Sequence, residues 1–166
     1  VRKHLSAILG GNVARLAIAR GARVEALLIS DVTGDSPADI ASGPCAADYS
    51  TYEDACAILS KYNLGPDVIP ASVLAHLEKG RSGLIPETLK ELDLVNQPVR
   101  NHVIATAHRS LEAAAECVRQ FGYTPFILGD TITGEAKDVA LVHAGLAREA
   151  LTHGQWGALP MALISG

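Results

Sequence analysis

The chain has 166 residues, 48% of them hydrophobic and 19% charged, which is material for a sizeable core and excludes a disordered chain. Its formal net charge is −4 and no local Lys/Arg cluster offsets it, so no electrostatic footprint for nucleic acid is present. The cysteines Cys45, Cys56 and Cys117 are odd in number and widely spaced, which argues against a disulfide framework or a CxxC motif and fits free thiols in a reducing cytoplasm; no apolar run is long enough for a membrane span and no signal-peptide pattern opens the chain.

Two short helical pieces, split by Gly10-Gly11, open the chain. "VEALLIS" (Val24 to Ser30) is then a near-continuous apolar run suited to a parallel strand buried on both faces. After a polar stretch to Pro44, Thr51 to Tyr62 reads as a helix with Tyr52, Ala55, Leu59 and Tyr62 on one face; Ser50 or Thr51 caps it, and Ser50 with Glu53 fits a capping box. A second helix is expected from Pro70 to Lys79, with Pro at its first turn and Gly80 as its stop. Residues 81 to 98 have weak periodicity and read as loop, with one helical turn near Glu87 to Leu92. "VRNHVIA" (Val99 to Ala105) is a strand. The helix after it carries Leu111, Ala114, Ala115, Val118 and Phe121 opposite Glu112, Glu116 and Arg119, and Gly122 stops it. "TPFILGD" (Thr124 to Asp130) is the next strand, with Pro tolerated at its start. An amphipathic helix from Gly134 to about Thr152 and the strand "PMALIS" (Pro160 to Ser165) close the chain. Strand and helix alternating through short links predict parallel pairing through right-handed crossovers. The expected fold is α/β, a three-layer α/β/α arrangement on one mainly parallel, Rossmann-like sheet, in a single domain over residues 1–166. The chain opens at Val1 without Met and closes just after a strand, so the domain is expected to be incomplete and part of a longer polypeptide.

Ligands of open parallel sheets bind outside the carboxyl ends of the strands. Here those ends are "SDVTGDSPADIASGP", "TAHRS", "GDTITGE" and the terminal "SG", all rich in hydroxyl, carboxylate or Gly. Asp31, directly at a strand end, is placed to hold Mg²⁺ or to take a proton from a substrate hydroxyl, and a loop-entry cap is the alternative. Asp35 has the same two readings. Asp39 suits the first turn of a short helix after Pro37. Ser42 and Gly43 can offer a hydroxyl and an N–H to an anion, or form an ordinary turn. Gly10 and Gly11 precede a helix start, where N–H groups can cradle phosphate or carboxylate, or they break one helix from the next. Arg2, Lys3 and His4 form a small basic cluster beside them, which a solvated face also explains. His108 and Arg109 sit at a strand-to-helix turn and can contact an anion, whereas His143 reads as a core histidine. No GxGxxG, GxxxxGK[ST] or HExxH occurs, so no dinucleotide fingerprint, Walker loop or zinc motif is present.

"VRKHLSAILGG", "LLISDVTGDSPADIASGP", "GYTPFILGD" with "GEAKDV", and the final "ALISG" together resemble the glycerate 2-kinase family, whose members are also provisionally labelled hydroxypyruvate reductase. The resemblance runs over essentially the whole chain and is weakest at residues 65 to 98. It implies ATP-dependent phosphorylation of D-glycerate at its 2-hydroxyl, with Mg²⁺, in the cytoplasm, and no nucleic-acid or membrane partner; homo-oligomer formation stays open. It further implies that these residues are the later part of the first domain of a two-domain kinase, with the site in the cleft and with flanking site segments elsewhere. The 166 residues alone are therefore expected to be inactive. Carried onto this sequence, Asp31 and Lys3 take catalytic roles, Asp31 also as the Mg²⁺ ligand. Arg2, His4, Gly10, Gly11, Asp35, Ser42 and Gly43 take substrate- or phosphate-binding roles. Where the family reads Ile-Lys-Gly-Gly-Arg this chain has "ILGGN", so Leu9 and Asn12 stand in place of two basic residues. Two rival functions remain: an NAD(P)H-dependent hydroxypyruvate reductase, and a non-catalytic α/β module that binds sugar acids.

Overall fold

The computed structural model describes residues 1–166. Gly11, in a left-handed conformation (φ 79°), starts α1 (Asn12–Ile18), and β1 (Val24–Ile29) follows. A short 3-10 turn over Ile40–Ser42 leads to α2 (Tyr52–Lys61), then α3 (Ala71–Arg81), the single turn α4 (Glu91–Leu94) and β2 (Val99–Ala105). After these come α5 (Ala107–Gln120), β3 (Thr124–Gly129), α6 (Ala136–His153) and β4 (Met161–Ser165). The class is α/β with short parallel sheets. The chain divides into two compact units, Val1–Ile29 with Asp35–Ile104, and Ser30–Gly34 with Ala105–Gly166.

In the first unit α2 begins with a reciprocal capping box. Thr51 Oγ1 accepts the Asp54 N–H (3.1 Å) and Asp54 Oδ2 accepts the Thr51 N–H (2.8 Å). The box is therefore one residue later than the expected Ser50–Glu53 pair, because Ser50 is drawn to the carboxylate of Asp48 instead. The apolar face of α2 packs on α3 in a core of Tyr52, Ala55, Leu59 and Leu77. Gly80 does not stop α3 but lies inside it. A Cβ there would meet the Tyr52 ring at 2.2 Å, so the helices approach through a missing side chain. The turn expected near Glu87 to Leu92 forms slightly later, at α4. β1 and β2 are hydrogen-bonded neighbours. β1 is not covered on both faces as its apolar run suggested. Its exposure alternates, and Leu27 (67%) and Ile29 (69%) lie on the open side. A short apolar run marks a strand but does not say whether one face or both are covered.

In the second unit α5 is capped by Thr106, whose hydroxyl accepts the Arg109 N–H (3.3 Å), and it packs on β3 and β4. β3 and β4 pair in parallel from Thr124 opposite Met161 to Gly129 opposite Ser165, with a register shift between Ile127 and Gly129. The expected single sheet thus appears as two two-stranded sheets, β1–β2 and β3–β4. Alternation of strand and helix favours parallel strands but does not dictate which strands are neighbours. His143 is half-buried and lines an apolar cavity of about 410 Å³ with Ala147 and Leu163. No helix is long and apolar enough to cross a membrane.

Candidate functional site

The first unit gathers most of the candidate residues around one buried carboxylate. Arg2, Lys3 and His4 occupy a single 3-10 turn (Arg2–Leu5) and diverge from it. The Arg2 guanidinium donates to Ser42 Oγ. Lys3 Nζ donates to Asp48 Oδ1 at 3.1 Å and lies 3.6 Å from Asp39 Oδ1. Asp39 thus faces the lysine, in addition to any role as an opener of the 3-10 turn. His4 turns inward and is buried, with its ring edge-on to Tyr52 at 4.8 Å between centroids.

Gly10 and Gly11 are needed for close approach. A Cβ on Gly10 would meet Thr88 Cγ2 at 2.8 Å, and one on Gly11 would meet Leu89 Cβ at 2.4 Å. Their N–H groups are committed to the protein, to the Ser42 carbonyl (3.0 Å) and the Gly43 carbonyl (2.7 Å), and the Gly43 N–H goes to the Ile40 carbonyl (2.9 Å). In this structure, then, these three amides are spent on holding the loop and are not offered to an anion. The glycine pair fastens a segment in which Ala41 (φ 49°), Ser42 (φ 62°) and Gly43 (φ 62°) are successively left-handed. Non-glycine residues enter that region at an energetic cost of order 1–3 kcal/mol each and persist where neighbours over-determine them. Here the neighbours are Arg2, Gly10 and Gly11.

Sequence reasoning missed Asp48, Thr88, Glu87 and Lys90, three of which lie in the stretch with the weakest pattern. Thr88 Oγ1 donates to Asp48 Oδ2 (3.0 Å), while Lys90 Nζ donates to Thr88 Oγ1 (2.9 Å) and the Asp48 carbonyl (3.2 Å). Lys90 also lies 3.4 Å from Glu87 Oε2. Burial alone would raise the Asp48 pKa. The hydrogen bonds from the Ser50 N–H and Oγ, from Lys3 and from Thr88 outweigh it and hold the carboxyl below its ordinary range. Burial lowers the His4 pKa, against the pull of Asp48 and Glu87, whose oxygens lie 3.8 Å and 3.5 Å from Nε2. Neither ring nitrogen of His4 has a hydrogen-bond partner. Beside this cluster lies a cavity of about 430 Å³, lined by Lys3, Asn12, Arg15, His76 and Glu87 among others. A larger one, about 570 Å³, lies beside α2 and α3 and has Glu78 as its one charged side chain. Asn12, at the departure from the family pattern, is used locally: its amide donates to the Ser6 carbonyl and accepts from Arg15.

Asp35 belongs to the same unit and is half-buried with a left-handed backbone (φ 52°). Asp31 belongs to the second unit, where it is exposed just past Ser30, whose N–H donates to the Ala105 carbonyl (2.8 Å). In that unit His108 lies 3.9 Å from Asp130 and 3.7 Å from Glu112. No group of three or more His, Cys, Asp or Glu side chains is arranged to hold a metal ion. A single exposed carboxylate still fits Mg²⁺, which is commonly held by one or two carboxylates together with nucleotide phosphates and water.

A family model described as a domain of unknown function (DUF4147) matches residues 1–78. A glycerate 2-kinase of Pyrococcus horikoshii is 40% identical over 166 residues, which is 100% of this chain and 36% of that protein. A protein of Agrobacterium vitis, provisionally named hydroxypyruvate reductase, is 42% identical over 166 residues, 100% of this chain and 35% of its own length. Among solved structures, the glycerate kinase (EC 2.7.1.31) of Thermotoga maritima matches with a TM-score of 0.73 and 32% identity over 100% of this chain and 36% of that one. The chain therefore spans a little over a third of the relatives' length.

Proposed function

We propose, from a chain that belongs to the family of proteins named glycerate 2-kinase and, provisionally, hydroxypyruvate reductase, that the protein phosphorylates D-glycerate at its 2-hydroxyl with ATP and Mg²⁺ in the cytoplasm. The observation that carries the reading is the pair of cations on one turn, Arg2 and Lys3, each held by a fixed oxygen partner beside an over-determined loop. Phosphoryl transfer needs positioning and charge neutralisation more than covalent chemistry by the protein. The glycerate oxygen forms the new bond to the γ-phosphorus, the bond from that phosphorus to the bridging oxygen breaks, ADP leaves with the electron pair, and the hydroxyl proton passes to solvent. Arg2 and Lys3 offset the carboxylate or phosphate charge, and Ser42 keeps Arg2 in place. Asp31 orients the glycerate hydroxyl and is the residue that would hold Mg²⁺, which when bound neutralises phosphate charge.

The name of the Agrobacterium relative supports one second reading, reduction of hydroxypyruvate with NAD(P)H. Incubating the complete protein with ATP, Mg²⁺ and D-glycerate, and separately with NADH and hydroxypyruvate, tests both. ADP release that depends on D-glycerate is expected, and NADH oxidation without ADP formation would replace the kinase reading by the reductase one.

A further inference from the structure

A carboxylate taken out of water is costly unless its lone pairs are satisfied. The Asp48 side chain is 1% exposed, and its oxygens are saturated. Oδ1 accepts Lys3 Nζ (3.1 Å), the Ser50 N–H (3.1 Å) and Ser50 Oγ (2.8 Å), and Oδ2 accepts Thr88 Oγ1 (3.0 Å) and faces His4 Nε2. The bonds from Ser50 and Thr88 favour the charged carboxylate, and the Lys3 ammonium is the cation that bonds it directly. That ammonium reaches the surface, since the Lys3 side chain is 18% exposed, and it has a second carboxylate neighbour in Asp39. Asp39 is 65% exposed and 3.6 Å away, so solvent screens that pair and leaves it a weak tether. Asp48 is thus the anchor, with Lys90 closing the cage through the Asp48 carbonyl and Thr88. A cation held from below by a rigid, buried carboxylate needs no reorganisation when charge arrives above it.

We propose that Asp48 is a positioning residue that fixes the Lys3 ammonium for anion binding and transfer. The proposal rests on the kinase reading for its role in turnover, but not for its geometry. The complete protein carrying Asp48→Asn, Asp48→Glu, Lys3→Met, and Lys3→Met with Asp48→Asn tests it, with kcat and KM measured per folded molecule. Loss of preorganisation predicts for Asp48→Asn a kcat about tenfold lower and a KM for D-glycerate about fivefold higher, with KM for ATP within about threefold, and partial recovery with Asp48→Glu. Adding Asp48→Asn to Lys3→Met should cost nothing further, because the lysine that it positions is gone. A full additional loss in that background, or a lowered melting temperature with unchanged kcat, overturns the proposal. If Asp48→Asn does not fold, Thr88→Val loosens the same carboxylate by one bond. A kcat loss that disappears in the Lys3→Met background supports the proposal, and an unchanged kcat overturns it. Should the wild-type protein release no ADP, the kinase reading fails while the positioning claim stands on calorimetry with D-glycerate. There Asp48→Asn weakens binding about fivefold or more in the presence of Lys3 and not in its absence, and an unaltered affinity, or no binding by the wild type, overturns it.

Discussion

His4 ends a basic tripeptide that reads as surface, yet its ring is buried against Tyr52 with neither nitrogen hydrogen-bonded. Burial sets the direction of its pKa, below the ordinary value, and the nearby Asp48 and Glu87 carboxylates reduce the shift without reversing it. The unfolded chain takes up this proton near about pH 6.5 and the folded chain does so at lower pH. Between those values the unfolded state binds more protons, so stability is complete above about pH 6.5 and is lost as the pH falls toward the folded pKa. The urea midpoint of the wild type should therefore drop between about pH 7.5 and 5.5, and His4→Gln should remove that part of the slope. A wild-type midpoint that rises on acidification would mean that the two carboxylates outweigh burial. Such an inversion of role has no local signal. Arg2, Lys3 and His4 are three consecutive charged or polar residues, and the turn that sends the first two outward and the third inward is decided by Tyr52 and Asp48, both more than 40 residues away.

Helix α3 shows the same limit for a whole element. A Gly after a run of helix formers reads as a stop, and Gly80 was expected to be one. The helix continues through it to Arg81 because α2 brings the Tyr52 ring against its backbone. In an open helix, replacing Gly by Ala would add about 1 kcal/mol of stability. At Gly80 the new Cβ falls 2.2 Å from the ring, so Gly80→Ala should instead destabilise by about 1–3 kcal/mol. Urea titration reads the sign directly, and a stabilised variant would show that the Tyr52 ring moves aside freely. The existence and extent of α2, α5 and α6 were legible because their apolar residues recur at helical spacing. The choice of cap on α2 was not, since Ser50 and Thr51 both suit it. Asp48 decides it by accepting both the N–H and the hydroxyl of Ser50.

The whole chain resolves into two units, each with its own buried contacts, the first around Tyr52, Ala55, Leu59 and Leu77 and the second around α5 on β3 and β4. Leu77→Ala, which empties a site 1% exposed, should cost about 2–5 kcal/mol. If the units hold together separately, hydrogen exchange should accelerate in α2 and α3 while the amides of β3 and β4 keep their protection. Equal loss of protection in all four would show a single cooperative unit. Without any coordinates, the residue pattern settles the α/β class, the order of the strands and long helices, and the polar exits of the strands, because these depend on spacing within about a dozen neighbours. It also carries the family, since "VRKHLS", "ISDVTGDSPADIASGP" and "FILGD" keep their order along the chain. Only the folded chain shows that the amides of Gly10 and Gly11 close a loop on the Ser42 and Gly43 carbonyls, and that Lys3 is anchored by Asp48. It likewise shows that Thr88 and Lys90, from a stretch without pattern, complete the cage. The residues that close the loop and build the cage around Asp48 are brought together from positions roughly 30 to 45 apart. Whether a polar group faces water or a buried partner depends on what the rest of the chain brings beside it, which spacing along the sequence does not encode.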